Sequence, residues 1–103
     1  MKNIPRYLNE AKRQHDLATD VALSRKLGVP PNHVFNWYND VSHLNDEAAI
    51  KLARLLKIDP LEIIACANYY KVAKSTKRKQ NPKKNAAQRK FWRQVYNEAV
   101  RKK

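Results

Sequence analysis

Asn32, His33 and Asn36 fall close together, directly after Gly28 and the pair Pro30-Pro31. A carboxamide accepts and donates at the same end, so each asparagine can pair bidentately with N7 and N6 of adenine. An imidazole can meet a base edge or a phosphate. This is recognition chemistry, and on a helix opening at Pro31 the three side chains would project near its front, with Pro31 beside them as a fourth base-contacting candidate. The bland alternatives stand alongside. The asparagines also suit a solvated surface, and His33, whose charge matters only below about pH 6.5, suits solvent as readily as a ligand. Groups able to hold a phosphate backbone flank them: Thr19, Arg25 and Lys26 before, Asn39, Ser42 and His43 after. Bond-making chemistry lacks its parts. His15, His33 and His43 show neither a paired i,i+4 spacing nor a nearby cysteine, so no metal site is expected. Cys66 lies on an apolar helical face and reads as an inert core thiol. No glycine-rich phosphate loop is present, and Asp46-Glu47 suits a helix start, where acids complement the dipole. The chain is expected not to be an enzyme and to need no cofactor or small-molecule substrate.

Those polar residues need two helices to position them. Thr19 can cap a helix from about Asp20 to Lys26, with Val21 or Ala22, Leu23 and Leu27 as its apolar face. Gly28 falls where that helix must stop, in the left-handed conformation that costs glycine no Cβ clash. Val29 then enters the core. Pro31 suits the first position of a second helix, with Val34 and Trp37 (and Phe35 or Tyr38) facing inward. This is the outline of a DNA-binding helix-turn-helix.

The spacing Leu23, Gly28, Val34, Trp37 resembles the Cro and phage-repressor helix-turn-helix family. The likeness continues through NDEAAIKLARLLKIDPLEII, Asn45–Ile64, which is similar to the family's next two helices, and spans about Tyr7 to Ala67. Thr19-Asp20 and Phe91-Trp92 also resemble a subfamily of small phage-related proteins. The chain departs from the pattern at Asp20, where the family often has a phosphate-touching Gln. It departs again at Pro30, where a polar cap is usual, and at Tyr38 and Asp40, where an acid and a glycine are common. The resemblance implies an all-α, five-helix bundle that binds double-stranded DNA, usually as a homodimer on a palindromic site.

The rest of the chain divides by composition. A first helix is expected from about Pro5 to Gln14, a fourth from Asp46 to Leu56 after a cap at Asn45, and a fifth from Pro60 to about Ala73 after a cap at Asp59. Residues 1–74 would form the globular domain. Residues 75–85, STKRKQNPKKN, lack apolar side chains and read as a basic linker, with Lys77, Arg78, Lys79, Lys83 and Lys84 as phosphate contacts or merely solubilising charge. Residues 86–103 would form an additional amphipathic helix with Phe91, Trp92, Val95 and Tyr96 on one side. With Tyr69 and Tyr70 these are the candidate dimer or partner contacts. The stripe has four readings: packing on helix 5 or a second subunit, docking in another protein, lying on an anionic membrane, and stacking on single-stranded bases.

Charge placement points to a polyanion. Residues 1–70 hold nine Lys/Arg against eight Asp/Glu, whereas residues 71–103 hold thirteen against Glu98 alone. Nearly all of the net +13 therefore sits in the last third. The content of 43% hydrophobic residues suffices for one small helical core. A single cysteine forbids an internal disulfide and fits a reducing cytoplasm, that of a bacterium or a phage-infected host. MKNIPRYLNEAK lacks the apolar centre of a secretory signal, and no run approaches the length of about 18 apolar residues that suggests a membrane span. The expected function is a sequence-specific DNA-binding regulator, a phage or prophage repressor acting as a dimer. The alternative is an antitoxin-like or viral adaptor whose last helix binds a protein partner.

Overall fold

Four short polar side chains each stand one residue ahead of a helix, and all four accept a bond from its first turn in a computed structural model of the protein, which describes residues 2–39, 42–75 and 82–101. Asn3 Oδ1 accepts from the Arg6 amide at 3.1 Å and opens α1, Ile4–Gln14. Thr19 Oγ1 accepts from Ala22 at 3.1 Å and opens α2, Asp20–Leu27. Asn45 Oδ1 accepts from Ala48 at 2.8 Å and opens α4, Asp46–Leu56. Asp59 Oδ1 accepts from Leu61 at 2.9 Å ahead of α5, Pro60–Ser75. Each bond satisfies an amide that the helix cannot pair internally. Pro30 precedes α3, Pro31–Tyr38, and offers no side-chain cap.

Three helices end alike. Asp16, Gly28 and Lys57 are left-handed, with φ of 55°, 73° and 59°. The amide after each reaches back to a carbonyl of the last turn: Leu17 to Lys12 at 2.8 Å, Val29 to Ser24 at 3.0 Å and Ile58 to Ala53 at 3.0 Å. This closure satisfies orphan carbonyls and turns the chain sharply. Glycine adopts it freely at Gly28, whereas Lys57 adopts it against the steric preference of an L-residue.

The described residues form six α-helices and no strand. The last, α6, runs Pro82–Arg101 and so begins ahead of the expected Ala86. Proline is tolerated in a first helical turn, where its missing N–H would be unpaired anyway. Lys83 and Lys84 thus belong to a helix backbone rather than to an irregular linker.

The helices pack in the order α3, α2, α4, α5, α6, each against the next, and α1 crosses α3, α4 and α5. Tyr7, Leu8, Leu23, Val34, Leu52 and Ile63 are fully buried at the centre. On α2, Val21 remains exposed and Ser24 is buried in its place. Burial of that hydroxyl is tolerated because Oγ donates to the Val21 carbonyl at 2.7 Å. Among the described residues no helix is long and apolar enough to cross a membrane.

A polar cluster lies inside this apolar core. The Tyr7 hydroxyl of α1 donates to Glu62 Oε2 of α5 at 2.6 Å and lies 3.4 Å from the Tyr96 hydroxyl of α6. The Lys2 amide donates to Tyr96 at 3.2 Å. Burial, reinforced by the bond to Glu62, pushes the Tyr7 phenol far above its ordinary range. The cluster joins three helices, and through Tyr96 it ties α6, already packed on α5, to α1.

Candidate nucleic-acid interface

The position of α3 is fixed from beneath and from one side. Val34 and Trp37 are buried. At its C-terminal end the Tyr38 hydroxyl donates to Asn9 Oδ1 of α1 at 2.7 Å, and Lys12 Nζ lies 4.6 Å from the centre of the Tyr38 ring. The choice between Phe35 and Tyr38 as the additional inward residue is thereby settled: Tyr38 is partly buried against the core, and Phe35 is 55% exposed.

Asp20, the departure from the phage-repressor pattern at the start of α2, takes part in the same bracing. Lys12 Nζ lies 2.6 Å from Asp20 Oδ1, tying α1 to α2. Burial lowers the Lys12 ammonium, but the hydrogen bonds to Asp20 and Tyr38 outweigh it and hold the group above its ordinary value. A carboxylate paired in this way stiffens the scaffold beneath α3 rather than meeting a phosphate.

Pro31, Asn32, His33, Phe35 and Asn39 line the outer side of α3 as exposed residues, and Asn36 is half-buried. The His33 and Trp37 rings are tilted at 54° with centres 6.2 Å apart, and His33 remains exposed. Asn39 Nδ2 donates to the Phe35 carbonyl at 2.8 Å, closing the end of the helix, which leaves its Oδ1 as the available acceptor. The exposed face combines carboxamides, an imidazole and one aromatic ring. It can hydrogen-bond to an edge and also make apolar contact.

Beside α3 lies an open cleft of about 370 Å³, lined among others by Pro30, His33, Trp37, Ser42, His43 and Lys51. It brings His33 together with Ser42 and His43 from the far end of α3. It adds Lys51 of α4, which the sequence pattern did not single out. Lys51 Nζ lies 3.3 Å from Glu47 Oε1, an exposed i,i+4 pair that leaves the ammonium reachable. Gly28 forms part of the wall, and a Cβ there would stand 3.9 Å from Lys51 Nζ. Glu47 also lines the cleft, which therefore presents hydroxyl, imidazole and ammonium groups beside one carboxylate.

The remaining candidates are dispersed. Arg25 and Lys26 are exposed on the last turn of α2, and the Thr19 hydroxyl oxygen is engaged as a helix cap. Lys77, Arg78 and Lys79 lie outside the described residues, as do the side chains of Lys83 and Lys84. The aromatic partner set divides. Tyr96 is buried in the chain's own core, Trp92 and Val95 pack partly against it, and Phe91 alone is 55% exposed. Tyr96 is thus taken up by α1 and α5 and is closed to an outside partner. Tyr69 and Tyr70 are half-buried, their rings edge-on with centres 5.2 Å apart.

Cys66 is fully buried and donates to the Lys2 carbonyl at 3.0 Å. Burial, with Glu62 nearby, pushes its thiol up to about 12. Such a thiol stays protonated near neutrality and makes a poor nucleophile. Among the described residues no three His, Cys, Asp or Glu side chains are grouped to hold a metal. No family model matches the chain, and neither a curated protein nor a solved structure matches it.

Proposed function

We propose that the protein is a sequence-specific binder of double-stranded DNA, with α3 as a recognition helix, and that it acts as a transcriptional regulator of the phage-repressor kind. The observation that carries this reading is the division of α3: Val34 and Trp37 are buried while Pro31, Asn32, His33 and Phe35 project outward and Asn36 lies half-covered among them. A helix fits the major groove, and its first turns meet the base edges. Asn32 and Asn36 would pair with adenine edges, and Phe35 would contact a thymine methyl. Ser42, His43 and Lys51 in the neighbouring cleft, with Arg25 and Lys26 on α2, would hold phosphates and set the register. The basic last third adds attraction without sequence information. A homodimer would match a palindromic operator, and occupancy of a promoter would repress it by exclusion.

The experiment is a fluorescence-anisotropy titration at about 150 mM salt, comparing DNA flanking the protein's own gene with a scrambled duplex of equal length. A preference of about 10³-fold or more supports the reading. Equal, weak binding to both would remove sequence recognition from the proposal. The second reading, a protein-binding adaptor, draws on the exposure of Phe91 and Val100 on α6. A stoichiometric partner lost on Phe91→Ala, with no preferred duplex, would favour it.

A further inference from the structure

Packing of α6 on α5 leaves one row of its side chains exposed. Tyr96 and Ala99 are buried and Trp92 and Val95 partly so, whereas Lys90, Arg93, Asn97 and Arg101 are all exposed. These four recur at intervals of three and four residues and therefore share one face of the helix. The row extends about 16 Å at the helical rise per residue. It contains no acid. Glu98 lies to one side of it, where its Oε1 accepts from Gln94 at 3.4 Å. Arg93 rests 5.7 Å from the Tyr69 ring centre, which orients the guanidinium without neutralising it. A solvated helix usually intersperses both signs, and a row of one sign on a docked helix repels itself unless an anion lies against it.

The location of the row matters as much as its charge. The candidate recognition helix α3 packs on α1 and α2, whereas α6 packs on α5. The outer face of α6 is thus carried by a helix that does not pack on α3. We propose that this face, centred on Lys90, Arg93 and Arg101, is a second binding surface for the phosphate backbone of duplex DNA, so that one protein molecule joins two separate DNA segments. This extends the DNA-binding reading by a second site, but it does not require α3 to read bases, since phosphate contact carries no sequence information. Three cations that displace counterions should make the second binding event weaken about 40-fold between roughly 50 and 200 mM salt.

The test uses the full chain and two random-sequence duplexes, one biotinylated and one fluorescent. Wild type is expected to retain the fluorescent duplex on beads carrying the other. The triple variant Lys90→Glu, Arg93→Glu, Arg101→Glu is expected to lose that capture by about tenfold or more and to lose single-duplex affinity by much less, because α3 and the other cations of the basic third are untouched. Helix content is checked by circular dichroism, and the corresponding triple Gln variant replaces the Glu variant if the latter unfolds. Undiminished capture by the folded variant overturns the proposal, because bridging would then run through a dimer of α3 sites. Loss of single-duplex binding in the same proportion also overturns it, placing α6 on the same duplex as α3. Absence of capture in wild type overturns it too, as does charge-dependent binding to anionic phosphatidylserine vesicles without duplex capture. The double variant Asn32→Ala, Asn36→Ala separates the two readings. If it retains all sequence preference, recognition by α3 fails, while bridging by α6 stands or falls on its own result.

Discussion

Asn36 and Phe35 are adjacent on α3 but differ in exposure, and the difference sets what their removal should do. Asn36 is half-buried, whereas Phe35 is 55% exposed. Asn36→Ala is expected to cost about 1–3 kcal/mol of binding at one base position and to leave the others unchanged. A panel of operators substituted one base pair at a time reads this out, and a uniform loss across specific and random DNA would exclude base pairing by Asn36. The contrast between Asp16 and Lys57 is a matter of stability instead. Both are left-handed, but a short Asp side chain visits that region more readily than the longer Lys. Lys57→Gly should therefore stabilise the fold by about 0.5–1 kcal/mol in urea denaturation, the relief of the Cβ clash exceeding glycine's added unfolded-state freedom. Asp16→Gly should gain less, and an equal gain at both positions would show that Cβ sterics alone decide.

At the scale of elements, the caps were legible because they are local. Asn3, Thr19, Asn45 and Asp59 each act within their own first turn, and Gly28 ends α2 as its type requires. Phe35 and Tyr38 lie on the same side of the buried stripe of α3, with Tyr38, four residues after Val34, the nearer of the two. Asn9 and Lys12, which hold Tyr38, lie on a helix distant in sequence. The same holds for Glu62, which reads as an acid near a helix start and is instead 1% exposed. Nothing local announces Tyr7 and Tyr96 as its neighbours. Lys51 escaped notice because its membership of the cleft depends on how α4 meets the turn at Gly28. The two tyrosines predict an ordering. Tyr7→Phe removes a 2.6 Å bond to a buried carboxylate and should cost about 1.5–3 kcal/mol. Tyr96→Phe removes only the longer bonds at 3.2 and 3.4 Å and should cost about 0.5–1.5 kcal/mol. Chemical denaturation of both variants checks this, and the reverse order would mean that Tyr96 rather than Glu62 anchors the cluster.

At the scale of the whole molecule, the basic third holds the proposed phosphate contacts and is also a structural member, because α6 carries Tyr96 and Ala99 into the core. Deleting the last helix to remove charge would also uncover α5, so charge substitutions on the outer face of α6 separate the two roles where truncation cannot. The buried cluster at the junction of α1, α5 and α6 makes the fold sensitive to alkali. Cys66 has an ordinary value of 9.0 and is pushed up to about 12 by burial. Tyr7, ordinarily at 10.0, is raised further still. Above about pH 9 the unfolded chain therefore releases a thiol proton that the folded chain keeps, and above about pH 10 it releases a phenol proton as well. The unfolded state then binds fewer protons, so stability falls as pH rises. The loss should begin near pH 9, steepen above pH 10, and amount to on the order of 1 kcal/mol per pH unit for each group. Urea titrations at pH 8, 9.5 and 10.5 measure it. Cys66→Ala is expected to be less stable at pH 8, through the cavity it leaves, yet to fall much less than wild type between pH 9 and 10, with the steeper fall above pH 10 retained. A variant that declines from pH 9 like the wild type would assign the early loss to another group and detach Cys66 from the alkaline transition.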